Sequence, residues 1–154
     1  MVPSPPRFTL VAGAAEGGTE LNAFDAALLA AGLGNLNLIK VSSVLPPGAS
    51  PAQPEALRLP PGSPVCAAYA FATSSTPGER IAAAVAVARR GDGFGVIMEW
   101  SGPGTAEEAR AAAEAMAREA MARRGLVPDR VLIRAAEHTT VRLGCAFAAV
   151  ALWG

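Results

Sequence analysis

The closing stretch Val141-Arg142-Leu143-Gly144-Cys145-Ala146-Phe147-Ala148-Ala149-Val150-Ala151-Leu152-Trp153 is almost continuously apolar. A run with no polar face fits a strand covered on both sides, so residues 143–152 are expected in the middle of a sheet. A strand over about 130–136 precedes it, joined near His138-Thr139-Thr140, and the two are expected to pair antiparallel. Farther back, residues 94–100 form another apolar strand-like run. Residues 65–73 alternate and contain Tyr69 and Phe71, which favours a strand. Residues 36–42 and a first strand over 8–11, running into Ala12-Gly13 and broken by Glu16-Gly17-Gly18, bring the number to about six.

Three helices are expected. Thr19 opens one over about 20–31, with Gly32 as its C-terminal stop. On a wheel of about 100° per residue, Leu21, Phe24, Leu28 and Ala31 share a face, and Asp25 falls between Leu21, Leu28 and Leu29. Such an acid either reaches water at the edge of the stripe or lines a pocket awaiting a cation. Thr76-Pro77-Gly78-Glu79 has capping-box spacing and predicts a helix through Ile81, Val85 and Val87, ending at Arg89-Arg90-Gly91. Thr105-Ala106-Glu107-Glu108 predicts another, through Ala112, Met116 and Ala120 to Arg123-Arg124-Gly125. Residues 46–64 hold seven prolines and show no period, which reads as a surface loop. The sum is an α+β sandwich with helices packed on sheets, in one domain spanning residues 1–154.

Thirteen basic and thirteen acidic residues cancel, and no Lys/Arg cluster is interleaved with aromatics. Neither nucleic acid nor an anionic membrane is implied as a partner. The longest apolar run is far below the ~20 residues of a membrane span. The stretch Met1-Val2-Pro3-Ser4-Pro5-Pro6-Arg7 lacks the order of a signal peptide, so a cytoplasmic location is expected. Cys66 and Cys145 read as free buried thiols. With His138 as the only histidine and no CxxC, no metal site is expected. His138 itself, alone at a strand end, reads as structural or solvent-facing.

Chemistry is best placed in Asn35-Leu36-Asn37-Leu38-Ile39-Lys40-Val41-Ser42-Ser43-Val44-Leu45-Pro46-Pro47-Gly48, where a strand ends in two serines before a double proline. If the chain bends there, the Ser43 hydroxyl can attack the carbonyl carbon of Ser42 and convert amide to ester. Plain turn chemistry is the competing explanation, and taken alone it is the stronger one. Glu99 follows the run 94–98 and should emerge at a strand end beside Trp100. Desolvation would raise its pKa and suit it to donate a proton, unless it is simply solvated. Lys40, the only lysine, lacks the phosphate cup and ring partner a pyridoxal phosphate enzyme needs, and its ammonium is expected in water.

The segment 35–49 closely resembles the self-cleavage segment of the pyruvoyl-dependent arginine decarboxylases. Leu21-Asn22-Ala23-Phe24-Asp25-Ala26-Ala27-Leu28 resembles that family's substrate-binding helix, and Gly95-Val96-Ile97-Met98-Glu99 its catalytic strand. The resemblance implies a four-layer αββα sandwich and autocatalytic serinolysis into a β chain 1–42 and an α chain 43–154. Ser42 and Ser43 are then the cleavage residues, and Ser43 becomes a covalent pyruvoyl group, the only cofactor. That group would condense with the α-amine of L-arginine and accept the electrons released as CO2 leaves. The product would be agmatine, which feeds polyamine biosynthesis. Glu99 is implied as the proton donor and Asp25 as the partner of the guanidinium. Asn37 is implied in processing and catalysis, although a straight strand would hold it ~20 Å from Ser43, so the strand bends or Asn37 serves another subunit. Leu38 is implied beside the substrate, packed like Phe24 and Val41. The family forms trimers, sometimes paired, with sites between protomers. Two rival readings are a hydrolase with an N-terminal nucleophile exposed by autoproteolysis, and a non-catalytic oligomeric scaffold of the same fold.

Overall fold

A computed structural model describes residues 3–154; Met1 and Val2, part of the stretch read for a leader, lie outside the described residues. The chain runs β1 (Arg7–Glu16), α1 (Glu20–Ala31), β2 (Asn37–Lys40), β3 (Val44–Leu45), β4 (Ser50–Pro51), a 3-10 turn (Pro54–Ala56) and β5 (Pro64–Ser74). It continues through β6 (Arg80–Arg89), β7 (Gly95–Pro103), α2 (Ala106–Arg123), β8 (Arg130–Thr139) and β9 (Gly144–Trp153). One sheet has the order β2-β5-β9-β1-β4 and the other β3-β7-β6-β8.

The sheets face each other, with a helix outside each, which is the expected αββα layering. Alternation along the strands builds all three interfaces. In β9, Ala146, Ala148, Val150 and Leu152 enter the core between the sheets, while Cys145, Phe147, Ala149, Ala151 and Trp153 face α1. In β6, Ile81, Ala83, Val85 and Val87 enter the same core, and Ala82, Ala84, Ala86 and Ala88 meet Ala109, Ala113, Ala117 and Met121 of α2. Both strands are buried on both faces, β9 central as expected. The small side chains let α2 lie close on its sheet, and enlarging one of them would overpack the contact at about 1–3 kcal/mol.

The helix expected over 76–91 is instead β6. Pro77 and Gly78 occupy the middle of a tight turn, with Gly78 at φ 85° and the Glu79 amide donating to the Thr76 carbonyl at 3.0 Å. Proline followed by a residue in the left-handed region is the signature of a type II turn. Beyond it, the alternation of Ile81, Ala83, Val85 and Val87 with alanines sets a period of two. Alanine's helix propensity yields to burial on both faces.

The two last strands do not pair with each other. β8 pairs with β6 and β9 with β1 and β5, so their connection crosses from one sheet to the other. Glu16 holds that crossing. Its carboxylate accepts from the amides of Arg142 at 2.8 Å, Leu143 at 3.0 Å and Val141 at 3.2 Å, and it pairs with the His138 ring. The ring lies over Gly144, where an added Cβ would stand 2.4 Å from His138 Cδ2 and 2.7 Å from the Glu16 carboxylate. Gly144→Ala must therefore displace the pair, and is expected to cost about 1–3 kcal/mol of stability in thermal or denaturant unfolding.

The Arg142 amide, ahead of His138, holds the Glu16 carboxyl down at about 2, from an ordinary 4.5. A depressed folded value stabilises above the unfolded one and is lost as pH falls through the folded one. Glu16→Gln is accordingly expected to flatten the loss of thermal stability between pH 4.5 and about 2.

Candidate active site at the sheet crossing

β2 runs parallel to β5 through Lys40↔Ala67, and the Val41 amide extends that ladder to the Ala67 carbonyl at 3.0 Å. Three residues on, Val44 is paired antiparallel with Val96 of β7. The Ser42-Ser43 peptide thus spans the passage from one sheet to the other. The Ser43 carbonyl accepts from the Ile97 amide at 2.9 Å, while neither serine hydroxyl has a hydrogen-bond partner among the described residues. Downstream, the Gly48 amide donates to the Asp92 carbonyl at 2.8 Å, and the buried Arg89 guanidinium donates to the Ala49 carbonyl at 2.6 Å. The start of the loop 46–64 is pinned to the β6–β7 turn. The crossing is held on both sides, with the hydroxyls left free between.

Glu99 lies inside β7, opposite Val85, and not at a strand end as expected; the strand runs four residues past it to Pro103. Ile97, two residues earlier, packs between the sheets, so Glu99 shares that side, while Met98 and Trp100 face α2. The alternation that buries Leu45 between the sheets places Ser43 on the same side. With Ser43 anchored at Ile97, Glu99 follows roughly 7 Å along β7. Desolvation raises the Glu99 pKa, and the positive charge of Lys40 opposes it without reversing the shift. Lys40 is exposed, its ammonium 4.5 Å over the Tyr69 ring. A half-buried carboxyl whose acid form desolvation favours, on the same side of the strand pair as the Ser43 hydroxyl, is suited to proton transfer.

Asp25 and Asn37 stand apart. The buried face of α1 is Ala23, Ala27, Leu28 and Ala31, while Leu21 is 75% and Leu29 54% exposed and Asp25 is in water. The stripe taken from the wheel was shifted by one apolar flank, since alanines carry the contact with Val11, Phe147 and Ala149. Asp25 therefore lies on the outer layer of the sandwich. Asn37 opens β2, its side-chain amide donating to the Gly62 carbonyl at 2.9 Å. Asn37 to Lys40 pair in continuous register with Pro64 to Ala67, and the four-residue extended stretch separates Asn37 from Val41 by about 13 Å. Leu38 is half-buried among Phe24, Leu36 and Tyr69 on the α1 side.

Cys66 and Cys145 are free, and burial pushes the Cys145 thiol up to about 11. Among the described residues no three His, Cys, Asp or Glu side chains meet to hold a metal, and no helix is long and apolar enough to cross a membrane. Two structural groups were not legible beforehand. Arg89 was assigned to a helix end, and its signal is an arginine closing an alternating apolar strand. Glu16 was taken as a strand breaker, and nothing local marks its partnership with a histidine 122 residues away.

A model of the family described as pyruvoyl-dependent arginine decarboxylase (PvlArgDC) matches residues 7–153. A protein of Methanocaldococcus jannaschii named pyruvoyl-dependent arginine decarboxylase is 47% identical over 151 residues, covering 97% of this chain and 90% of its own length. Proteins of the same name from Methanothermobacter thermautotrophicus and Pyrococcus furiosus are 42% and 38% identical over 146 and 137 residues. They cover 94% and 88% of this chain, and 94% and 87% of their own lengths.

Proposed function

The chain belongs to the pyruvoyl-dependent arginine decarboxylase family, and we propose that it converts L-arginine to agmatine and CO2 with a pyruvoyl group made from Ser43. The observation that carries this reading is the fixed crossing, which sets Ser43 and the raised-pKa Glu99 on one side of the same strand pair.

Maturation begins with attack of Ser43 Oγ on the Ser42 carbonyl carbon, which breaks the amide and forms an ester. Elimination then removes a proton from Cα of residue 43 and breaks its Cβ–O bond, freeing residues 1–42 with a carboxylate. The dehydroalanine left at position 43 takes up water and loses ammonia, leaving the keto group at the start of residues 43–154. The site fits this chemistry: the attacking hydroxyl is unpaired, and the Ile97 amide holds the carbonyl that stays joined to the new keto carbon.

When formed, a pyruvoyl group supplies an electrophile for the substrate amine and a sink for the electrons of the departing carboxylate. Glu99, whose acid form burial favours, delivers the proton that replaces CO2 on the substrate carbon. Asp25 takes the guanidinium, whose planar fork of donors suits a carboxylate. Because Asp25 lies on the outer layer and Asn37 about 13 Å back along β2, one chain does not complete the pocket. A neighbouring copy supplies them, in a homotrimer or a pair of trimers, with Leu38 as apolar wall.

Asp25→Asn is expected to lower kcat/KM for arginine about 10- to 100-fold, the worth of one charge-assisted hydrogen-bonded pair. Cleavage at Ser42-Ser43 should be unaffected. CO2 release from arginine measured beside denaturing electrophoresis separates the two, and unchanged kinetics would remove Asp25 from the pocket.

A further inference from the structure

The pairing of β8 with β6 gathers positive charges that lie far apart in the chain. Arg130 stands directly opposite Arg89 in the antiparallel register, and Arg134 follows four residues on, opposite Val85. Val85, Val87 and Leu132 pack on the core between the sheets, and strand alternation turns Arg89, Arg130 and Arg134 to that same side. Like charges directly opposite, with Cβ atoms about 5 Å apart, destabilise a strand pair. No carboxylate offsets them. Among the described residues none of the three arginines takes part in an ion pair. Asp129, next to Arg130 in the chain, turns its carboxylate to the Gly91 amide at 3.0 Å. Arg89 is 6% exposed, and its Nε has no hydrogen-bond partner.

Arg130 and Arg134 line an open cleft of about 440 Å³ between β8, the start of β1 and the loop after β4, with Phe8, Leu10 and Leu132 among its apolar walls. No acidic residue lines it. Arg134 donates to the Leu10 carbonyl at 3.3 Å, and Arg130 makes no hydrogen bond among the described residues, so most of two five-donor forks lack a protein acceptor. β8 is one edge of its four-stranded sheet and β3, which follows the Ser42-Ser43 crossing, is the other. The cleft is therefore separate from the crossing.

These features select a ligand class. A cation is repelled, and a neutral ligand leaves the repulsion between Arg89 and Arg130 in place. A monocarboxylate offsets one charge of the three. A phosphomonoester carries about −1.5 to −2 at pH 7 and three acceptor oxygens, which suit two guanidinium forks. Its organic part fits along Leu10 and Leu132. A nucleotide base would need an exposed ring to stack on, and Phe8, the one aromatic residue lining the cleft, is fully buried.

We propose that the cleft between β8 and the start of β1 binds a small phosphomonoester, with Arg130 and Arg134 gripping the phosphate and Arg89, opposite Arg130, adding its uncompensated charge. The bound anion is the counter-ion that the protein itself does not provide. The site does not depend on the decarboxylase reading.

Methyl phosphate is a suitable probe, titrated calorimetrically into the purified full protein at neutral pH and constant ionic strength, with acetate as the singly charged control. One equivalent should bind per chain, and acetate should bind more weakly by roughly tenfold or more, the worth of ~1.4 kcal/mol. Arg130→Gln and Arg134→Gln should each weaken methyl phosphate by a similar factor. Arg130→Lys, which keeps the charge and loses the fork, should fall between wild type and Arg130→Gln. Thermal unfolding gives a second readout. In chloride alone Arg130→Gln should melt no lower than wild type, because the substitution removes a repulsive pair. In saturating methyl phosphate the order should reverse, since wild type gains more from binding. No binding by the wild-type protein would overturn the proposal. So would equal affinity for acetate, unchanged binding in the double variant Arg130→Gln/Arg134→Gln, or the same rise in melting temperature with methyl phosphate in wild type and double variant.

Discussion

Ser43→Ala protein is expected to remain one uncut 154-residue chain with no measurable arginine decarboxylation. Both losses follow from one atom. Without Oγ there is no nucleophile at the crossing, no ester and no elimination, so no keto group forms at position 43. The chain has no substitute electron sink: Lys40, the single lysine, is exposed and engaged with Tyr69. The expected fall is therefore the whole catalysed route, at least the ~10⁶-fold floor of enzymatic rate enhancements. The fold should survive, because Ser43 contributes only its carbonyl to the β3–β7 edge, through Ile97. Far-ultraviolet circular dichroism and gel filtration matching wild type, with a single band on denaturing electrophoresis, would establish that. Agmatine production by the uncut alanine variant would remove Ser43 from the chemistry.

Glu99→Gln carries the second large effect. If Glu99 returns the proton to the carbon that loses CO2, the amide should cost about 10²–10⁴-fold in kcat, the usual worth of a positioned general acid, with KM little changed. The pH dependence gives a sharper readout. Burial raises the Glu99 pKa, so the acid form persists above the ordinary carboxylate range and is lost as pH rises through the raised value. Wild-type kcat should fall on that alkaline limb, and the limb should be missing from Glu99→Gln. Lys40→Met, which removes the charge opposing the shift, should move the limb to higher pH. A limb that stays in place in Glu99→Gln would assign the titration to another group.

The outer parts of this fold were easier to read in the sequence than its centre. α1 and α2 were legible to the residue at their starts because Thr19 and Thr105 are true N-caps, the latter in a full capping box with Glu108. β9 was legible because thirteen nearly uninterrupted apolar residues leave no polar face to expose. β6 was misread for a physical reason. Thr76-Pro77-Gly78-Glu79 satisfies the spacing of a cap and the requirements of a type II turn at once, and only the tertiary demand for a second two-sided strand decides between them. The exchange of β8 and β9 between sheets depends on Glu16, whose partners are 122 to 127 residues away, beyond the reach of local pattern.

At the site, the strand-to-proline junction marked the crossing, and the apolar run before Glu99 marked its burial. At Asp25 the first of the two alternatives holds, and the acid reaches water, because α1 uses its alanines for the core and leaves Leu21 and Leu29 outside. Two exposed leucines beside that acid leave an apolar surface on the outer layer.

The central claim is that Ser43 is the precursor of the catalytic group, and intact-mass spectrometry of the purified protein under denaturing conditions tests it most directly. The account predicts two chains, residues 1–42 ending in an unmodified carboxylate and residues 43–154 lighter by one ammonia than a fragment that begins with serine, with a reactive carbonyl in place of an amine. A single uncut chain, or a second fragment beginning with an ordinary serine, would contradict it, and the serine-initiated fragment would point to a hydrolase with an N-terminal nucleophile.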